Sequence, residues 1–196
     1  MRSLPLAFVF VVAVGVALAQ APRSYSIDAA PAEYKQAIDR AMRAFDSLQS
    51  TLSARLLSET KAGGPAHAVG VCRDEAPALT ARIAAESGLV LGRTSHKLRN
   101  GANEPRPWVK PLLEQAAGRK ASTVIAMVVD LGNAIGVVRP IGVAAACTVC
   151  HGTDAKRPAP LKAALATQYP TDQAVGFEEG DFRGFFWAEV PKGGGK

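Results

Sequence analysis

Cysteine and histidine are scarce in this chain of 196 residues, with three of each. Three cysteines cannot build a disulfide framework, and an odd number leaves at least one thiol to be explained. Aromatic residues make up only 6% of the chain, so the core has to be built mainly from Ala, Val and Leu. No dense Lys/Arg run accompanies the formal charge of +6, and no internal repeat is present. Nucleic-acid binding therefore has no support beyond a mild net charge. The longest apolar run, LPLAFVFVVAVGVALA at 4–19, falls short of the roughly 20 residues that a spanning helix needs.

That run has the marks of a secretory signal. Arg2 precedes it, and Ala17-Leu18-Ala19 supplies a small-x-small cleavage site before Gln20. The expected mature chain begins at Gln20 and works in the periplasm or outside the cell; an uncleaved membrane anchor is the alternative. Loss of Arg2 lowers the formal charge from +6 to +5. No cysteine follows the run, so a lipid anchor is not available there.

Helices come first and strands later. Residues 20–30 read as a loose leader. From Pro31, Tyr34, Ile38, Ala41, Phe45, Leu48 and Leu52 recur at spacings of three and four, one apolar stripe on a long helix. The stripe predicts an ordinary packed helix, with homodimerisation through it as the sharper option. KAGGP at 61–65 is a break. Helix resumes over 66–87, with Pro77 as a kink or a first turn. Val69, Cys72, Ala76, Leu79 and Ile83 form its buried stripe. His67 lies five residues before Cys72, about 140° around a regular helix, and so on a different face. The stretch 89–98 alternates loosely, and Asn100-Gly101 is a turn signal. Prolines bracket a short helix through Trp108 and Leu112, with Gly118 as its stop. Strands are predicted over 122–130 and 134–141 around Gly132-Asn133. A short helix over 160–169 follows, then a hairpin from AVGF at 174–177 to the strand starting at Phe182. The pattern is α+β.

The stretch AAACTVCHGT at 144–153 packs Cys147, Cys150 and His151 into five positions. C-x-x-C-H is the attachment sequence for c-type haem. Two thiols at this spacing can add to the two vinyl groups on one porphyrin edge, and the adjacent histidine can reach the iron as proximal ligand. A zinc site lacks a fourth ligand, because there is no second Cys pair and no H-x₃₋₅-H spacing. Export fits a cofactor that is attached after secretion.

The sixth iron position has several candidates: Cys72, His67, His96, Met42 and Met127, or none. Met42 and Met127 read as packing residues, His96 as a surface position in a strand, and His67 as a solvated helix start. Cys72 lies on a buried stripe without a disulfide partner, which a thiolate ligand explains better than an inert thiol. Arg93, Lys97 and Arg99 are candidate partners for the haem propionates. Phe182, Phe185, Phe186 and Trp187 could wall the porphyrin or form ordinary core.

The ordered blocks HAVGVCRDEAPALTARIA, GRTSHKLRNGANEP, CTVCHG and YPTDQAVGFEEGDFRGFF resemble a family of exported c-type haem proteins with a PAS-like domain, long known only as a domain of unknown function. The likeness runs from about Ala66 to Val190. It implies an antiparallel sheet flanked by helices, one covalent haem c on Cys147 and Cys150, His151 on the iron, and Cys72 as the opposite axial ligand. His96 departs from the pattern, since an apolar residue is more usual there. The chain is accordingly divided into a signal segment (1–19), a leader with the N-terminal helix (20–60), a PAS-like haem domain (61–191) and a flexible tail (192–196).

Three functions are compatible with these residues. A haem-based redox or gas sensor would signal when a diatomic ligand or a change of iron state moves the helix carrying Cys72. A single-haem electron carrier would use two protein ligands to hold the iron, with a low potential set by thiolate. A peroxidase needs an open iron face and a distal acid–base group, for which His67 is the one tempting residue. The expectation is a non-enzymatic protein with a redox or signalling partner that the sequence does not name.

Overall fold

The computed structural model of the chain describes residues 22–192. The signal segment 1–19, its cleavage point and tail positions 193–196 lie outside the described residues. Among the described residues, no helix is long and apolar enough to cross a membrane.

The leader is not loose throughout. Ser24–Ser26 form strand β1, an edge strand paired antiparallel with β3 (Met127–Asp130). Helix α1 then runs over Lys35–Gly70. Its stripe is buried as the spacing predicts, with Ala41, Phe45 and Leu48 fully inaccessible. It packs on the chain's own sheet. Phe45 stacks on Phe186 of strand β5 (Phe182–Pro191), with ring centroids 5.8 Å apart.

The helical course breaks at Gly64, where φ is 80° and ψ is 177°. A side chain is strained at that φ, and Pro65 follows with its own fixed φ. The chain doubles back here. Arg55 and Glu75 make two N–O contacts of 2.8 Å, whereas a straight helix would separate them by about 30 Å. Val71–Glu75 is a turn of π-helix, and helix α2 (Ala76–Ser87) continues from it with Pro77 in its first turn. Gly88 closes α2 in the left-handed region.

Strands β2 (Val90–Thr94), β3, β4 (Ala134–Gly142) and β5 join β1 in one antiparallel sheet of order β1-β3-β4-β5-β2. Side chains alternate between its faces with period two. Ile135, Val137, Phe186, Ala188 and Val190 meet α1. Val138, Phe185 and Trp187 meet Val109 and Leu113 at helix α3 (Lys110–Ala116) on the other face. The expected α+β fold, an antiparallel sheet flanked by helices with a long N-terminal helix, is the one adopted. Helix and sheet share one hydrophobic cluster.

Two strand predictions are corrected. The strand over 122–130 shortens to Met127–Asp130, because Ala121–Thr123 form a tight turn. The hairpin from 174–177 into β5 does not form. Strand β5 is central and has both edges taken, by β4 and β2. The Ala174–Phe177 segment instead hydrogen-bonds the C-x-x-C-H turn, with Gly176 N–H donating to Gly152 O (3.0 Å) and Phe177 N–H to His151 O (2.9 Å).

Candidate functional site

Cys147 ends a tight turn, and Thr148–His151 form the short helix α4. Three residues apart, Cys147 and Cys150 lie on neighbouring helical positions. Cys147 packs against Val143, Ala174 and Phe177. Cys150 packs against Val69 and against Leu161 and Leu165 of helix α5 (Ala159–Gln168). No disulfide joins Cys72, Cys147 and Cys150. Gly152 is required directly after the histidine, because a Cβ there would lie 2.5 Å from the Thr148 carbonyl oxygen.

His151 is oriented by its ring. A carbonyl only accepts, so Nδ1–H donates to Ala174 O at 3.0 Å. The lone pair is left on Nε2. Burial, with Arg99 and Arg183 nearby, holds the imidazole well below its ordinary range. His151 is therefore neutral at physiological pH, the form that binds metals.

A partly open cavity of about 200 Å³ lies where β2 and β4 end and β5 begins. The register of β4 against β5 shifts between Ile141 and Gly142, at the cavity wall. Cys147, His151 and Cys72 all line this cavity. Cys72 arrives from the π-helical turn, a feature common at functional sites. Burial raises its thiol pKa, while Arg93, Arg99 and Arg183 oppose that shift.

The other candidates for the sixth position go elsewhere. His67 bonds Glu59 at 2.8 Å on the exposed side of the helix, which also removes it as a distal acid–base group at this cavity. Met42 packs into the α1–sheet cluster and Met127 into the α3 cluster. His96 is not in a strand and not on the surface. It follows the end of β2, half-buried, stacked on Phe182 (5.9 Å, 9°) and edge-on to Phe177 (5.7 Å). Its Nδ1 is buried without a partner.

Of the three basic candidates for the propionates, Arg93 lines the cavity; burial lowers its pKa, the Cys72 thiol and the Tyr169 phenol oppose that shift, and no carboxylate contributes. Arg99 also lines it, but its donors go to Asp172 (3.1 Å) and to the carbonyls of Cys150 (2.7 Å) and Ala174 (3.2 Å). Lys97 turns away, to the Val175 carbonyl at 3.2 Å and over the Phe177 ring at 5.1 Å. The 95–99 segment lies against 172–177, and this geometry redirects both side chains. Phe182, Phe185 and Phe186 are core, and Trp187, also core, lines an adjoining cavity that shares Cys72 and Arg93 with this one; none of the four lines the cavity that holds His151.

The cavity also holds residues that sequence reasoning passed over. Arg183 donates to Ser95 Oγ and to Lys97 O (3.0 Å), and burial lowers its guanidinium to about 10. An arginine set among aromatic and small residues in FRGFFWA, at the start of the strand, was the available signal. Burial, followed by the influence of Cys72, pushes the Tyr169 phenol up to about 12.

The sequence model of the Tll0287-like family matches residues 25–191. The chain belongs to the Tll0287-like family. The resemblance drawn from the sequence blocks is thereby shown, and the Tll0287-like match extends it towards the N-terminus to take in most of β1 and all of α1. The chain is also similar to the crystal structure of the cyanobacterial haem-protein Tll0287, with TM-score 0.59 and 25% identity over 84% of this chain and 98% of that one. No functionally curated protein matches this Tll0287-like chain.

Proposed function

We propose that the chain is an exported haem protein of c type that acts as a redox or gas sensor. Family membership and the likeness to a haem protein support haem binding. The observation that carries the finer reading is the convergence of Cys72, Cys147 and His151 on one cavity. The donor set fits the group: the Cys147 thiol and a neutral imidazole with a free Nε2 line the cavity, Cys150 lies next to that histidine in α4 and packs against Val69, Leu161 and Leu165, a third sulfur comes from a separate element, and Arg93 can receive a carboxylate. Cys147 and Cys150 would form the thioether links, His151 the proximal bond and Cys72 the opposite axial bond. Bound there, haem supplies one-electron chemistry at iron and an axial position whose occupant can change with oxidation state.

Sensing would use the π-helical turn. Cys72 sits in it, and Glu75 at its end is tied to Arg55 of α1. Displacement of Cys72 would therefore pull on the long helix, and through it on a signalling partner. Electron transfer is the second reading. It is favoured by Val149, which is exposed within the attachment turn and brings that edge to the surface.

Absorption spectra of the purified protein in ferric, ferrous and carbon-monoxide-treated ferrous forms test both readings. A six-coordinate low-spin ferric spectrum and a carbon-monoxide-sensitive ferrous one are expected. Protein without haem defeats the proposal. Ferrous protein that is indifferent to carbon monoxide across the accessible pH range favours electron transfer. Export is tested separately by N-terminal mass analysis, with Gln20 expected and Met1 pointing to a retained anchor.

A further inference from the structure

The Ala174 carbonyl is crowded. It accepts from His151 Nδ1 at 3.0 Å, Arg99 Nη2 at 3.2 Å and Arg157 Nη2 at 3.3 Å. The same two guanidiniums donate to the Cys150 carbonyl at 2.7 and 2.8 Å. Both arginines are buried, at 9% and 8% exposure. Among the described residues, one carboxylate is buried with them: Asp172, 3.1 Å from Arg99. Asp154 is 4.0 Å from Arg157 and largely in solvent.

Packing alone does not ask for this arrangement. Two like charges are held together out of water, which is unfavourable without full pairing. The Nε of Arg157 is buried with no hydrogen-bond partner. Burial and the neighbouring Arg99 both disfavour its charged form.

A carbonyl oxygen has two lone pairs. With three donors, two of them cationic, it gives each less than it would give one. A strong acceptor on the outer ring nitrogen raises the basicity of a ligating histidine; a depleted acceptor does the opposite. We propose that Arg99 and Arg157 are positioning residues that weaken electron donation by His151, through the Ala174 carbonyl they share with its Nδ1–H, and so raise the reduction potential. Hydrogen bonding behind an axial ligand is one of the protein's levers on haem potential. Here it opposes the lowering expected from a Cys72 thiolate. The inference rests on the haem reading above.

Redox titration of the haem-loaded wild type, Arg157→Gln, Arg157→Lys and the double variant Arg99→Gln/Asp172→Asn tests it. The double variant removes one cation and one anion, so net charge is unchanged and no carboxylate is stranded. In Arg157→Gln and in the double variant, the ferric-to-ferrous ratio at a fixed potential should rise about tenfold, a midpoint lower by about 59 mV for one electron. Arg157→Lys should move the same way, since an ammonium lacks the fork that bridges two carbonyls. Midpoints equal to wild type in loaded variants overturn the inference. A lowered midpoint in Arg157→Gln alone, with the lysine and double variants unchanged, assigns the effect to charge and overturns the carbonyl route. Should a variant load no haem, Arg157→Lys, the mildest change, carries the test. Wild type without covalent haem would remove the underlying reading, and the inference with it.

Discussion

Cys72 and His151 line one cavity, the first from a π-helical turn after the chain reversal at Gly64, the second from the four-residue helix α4 between β4 and β5. No other candidate for the second axial position reaches that cavity.

Replacement of Cys72 is therefore the direct probe of axial ligation. Cys72→Ala should keep its covalent haem, lose a thiolate signature in electron paramagnetic resonance and shift the potential upward, because an anionic sulfur favours ferric iron. His67→Ala and Met127→Leu should leave the spectrum as it is. An unchanged ferric spectrum and potential in Cys72→Ala would sink thiolate ligation at this cavity.

Covalent attachment separates the c-type reading from haem binding in general. After denaturation and acid–acetone extraction the colour should stay with the polypeptide. A double replacement of Cys147 and Cys150 by Ala should release it. Haem in the organic phase from wild type would contradict attachment through these two thiols.

Phe45 tests whether α1 belongs to the folding core. It is fully buried and stacked on Phe186. Phe45→Ala should destabilise the protein by about 3–5 kcal/mol, the range for truncating a buried aromatic. Urea unfolding would measure it. A change below about 1 kcal/mol would mean that the helix contributes little to the cooperative unit.

His96 predicts an acid-sensitive stability. Burial, then Arg183 and Lys97, lower its pKa from the ordinary imidazole value near 6.5. The folded protein resists the proton and the unfolded chain takes it, so the full stability is present above about pH 6.5 and declines below it. His96→Phe keeps the stack on Phe182 and removes the titration. Urea midpoints of haem-loaded protein at about pH 7.5 and pH 5.5 should differ less in the variant than in wild type. Equal differences would show that His96 does not carry this dependence.

Local chemistry was legible in the order of residues. C-x-x-C-H states its own requirements in five positions, and the spacing of Ile38, Ala41, Phe45 and Leu48 announces a buried helix face, because period and burial are properties of one element. The break at KAGGP was equally plain, since glycine and proline act on their own backbone. Partnership between distant segments was not. Nothing in the spacing of residues 89–99 says that Lys97 and Arg99 turn to the 172–177 segment. Nor does AVGF announce that it wraps α4 while β5 takes its neighbours from β4 and β2. Nor does the spacing around Arg157, Arg183 and Tyr169 show that the folded chain encloses them. A side chain's partners, and with them its charge state, are set by which elements meet at the rim of the sheet, and that is decided only when the non-local contacts form.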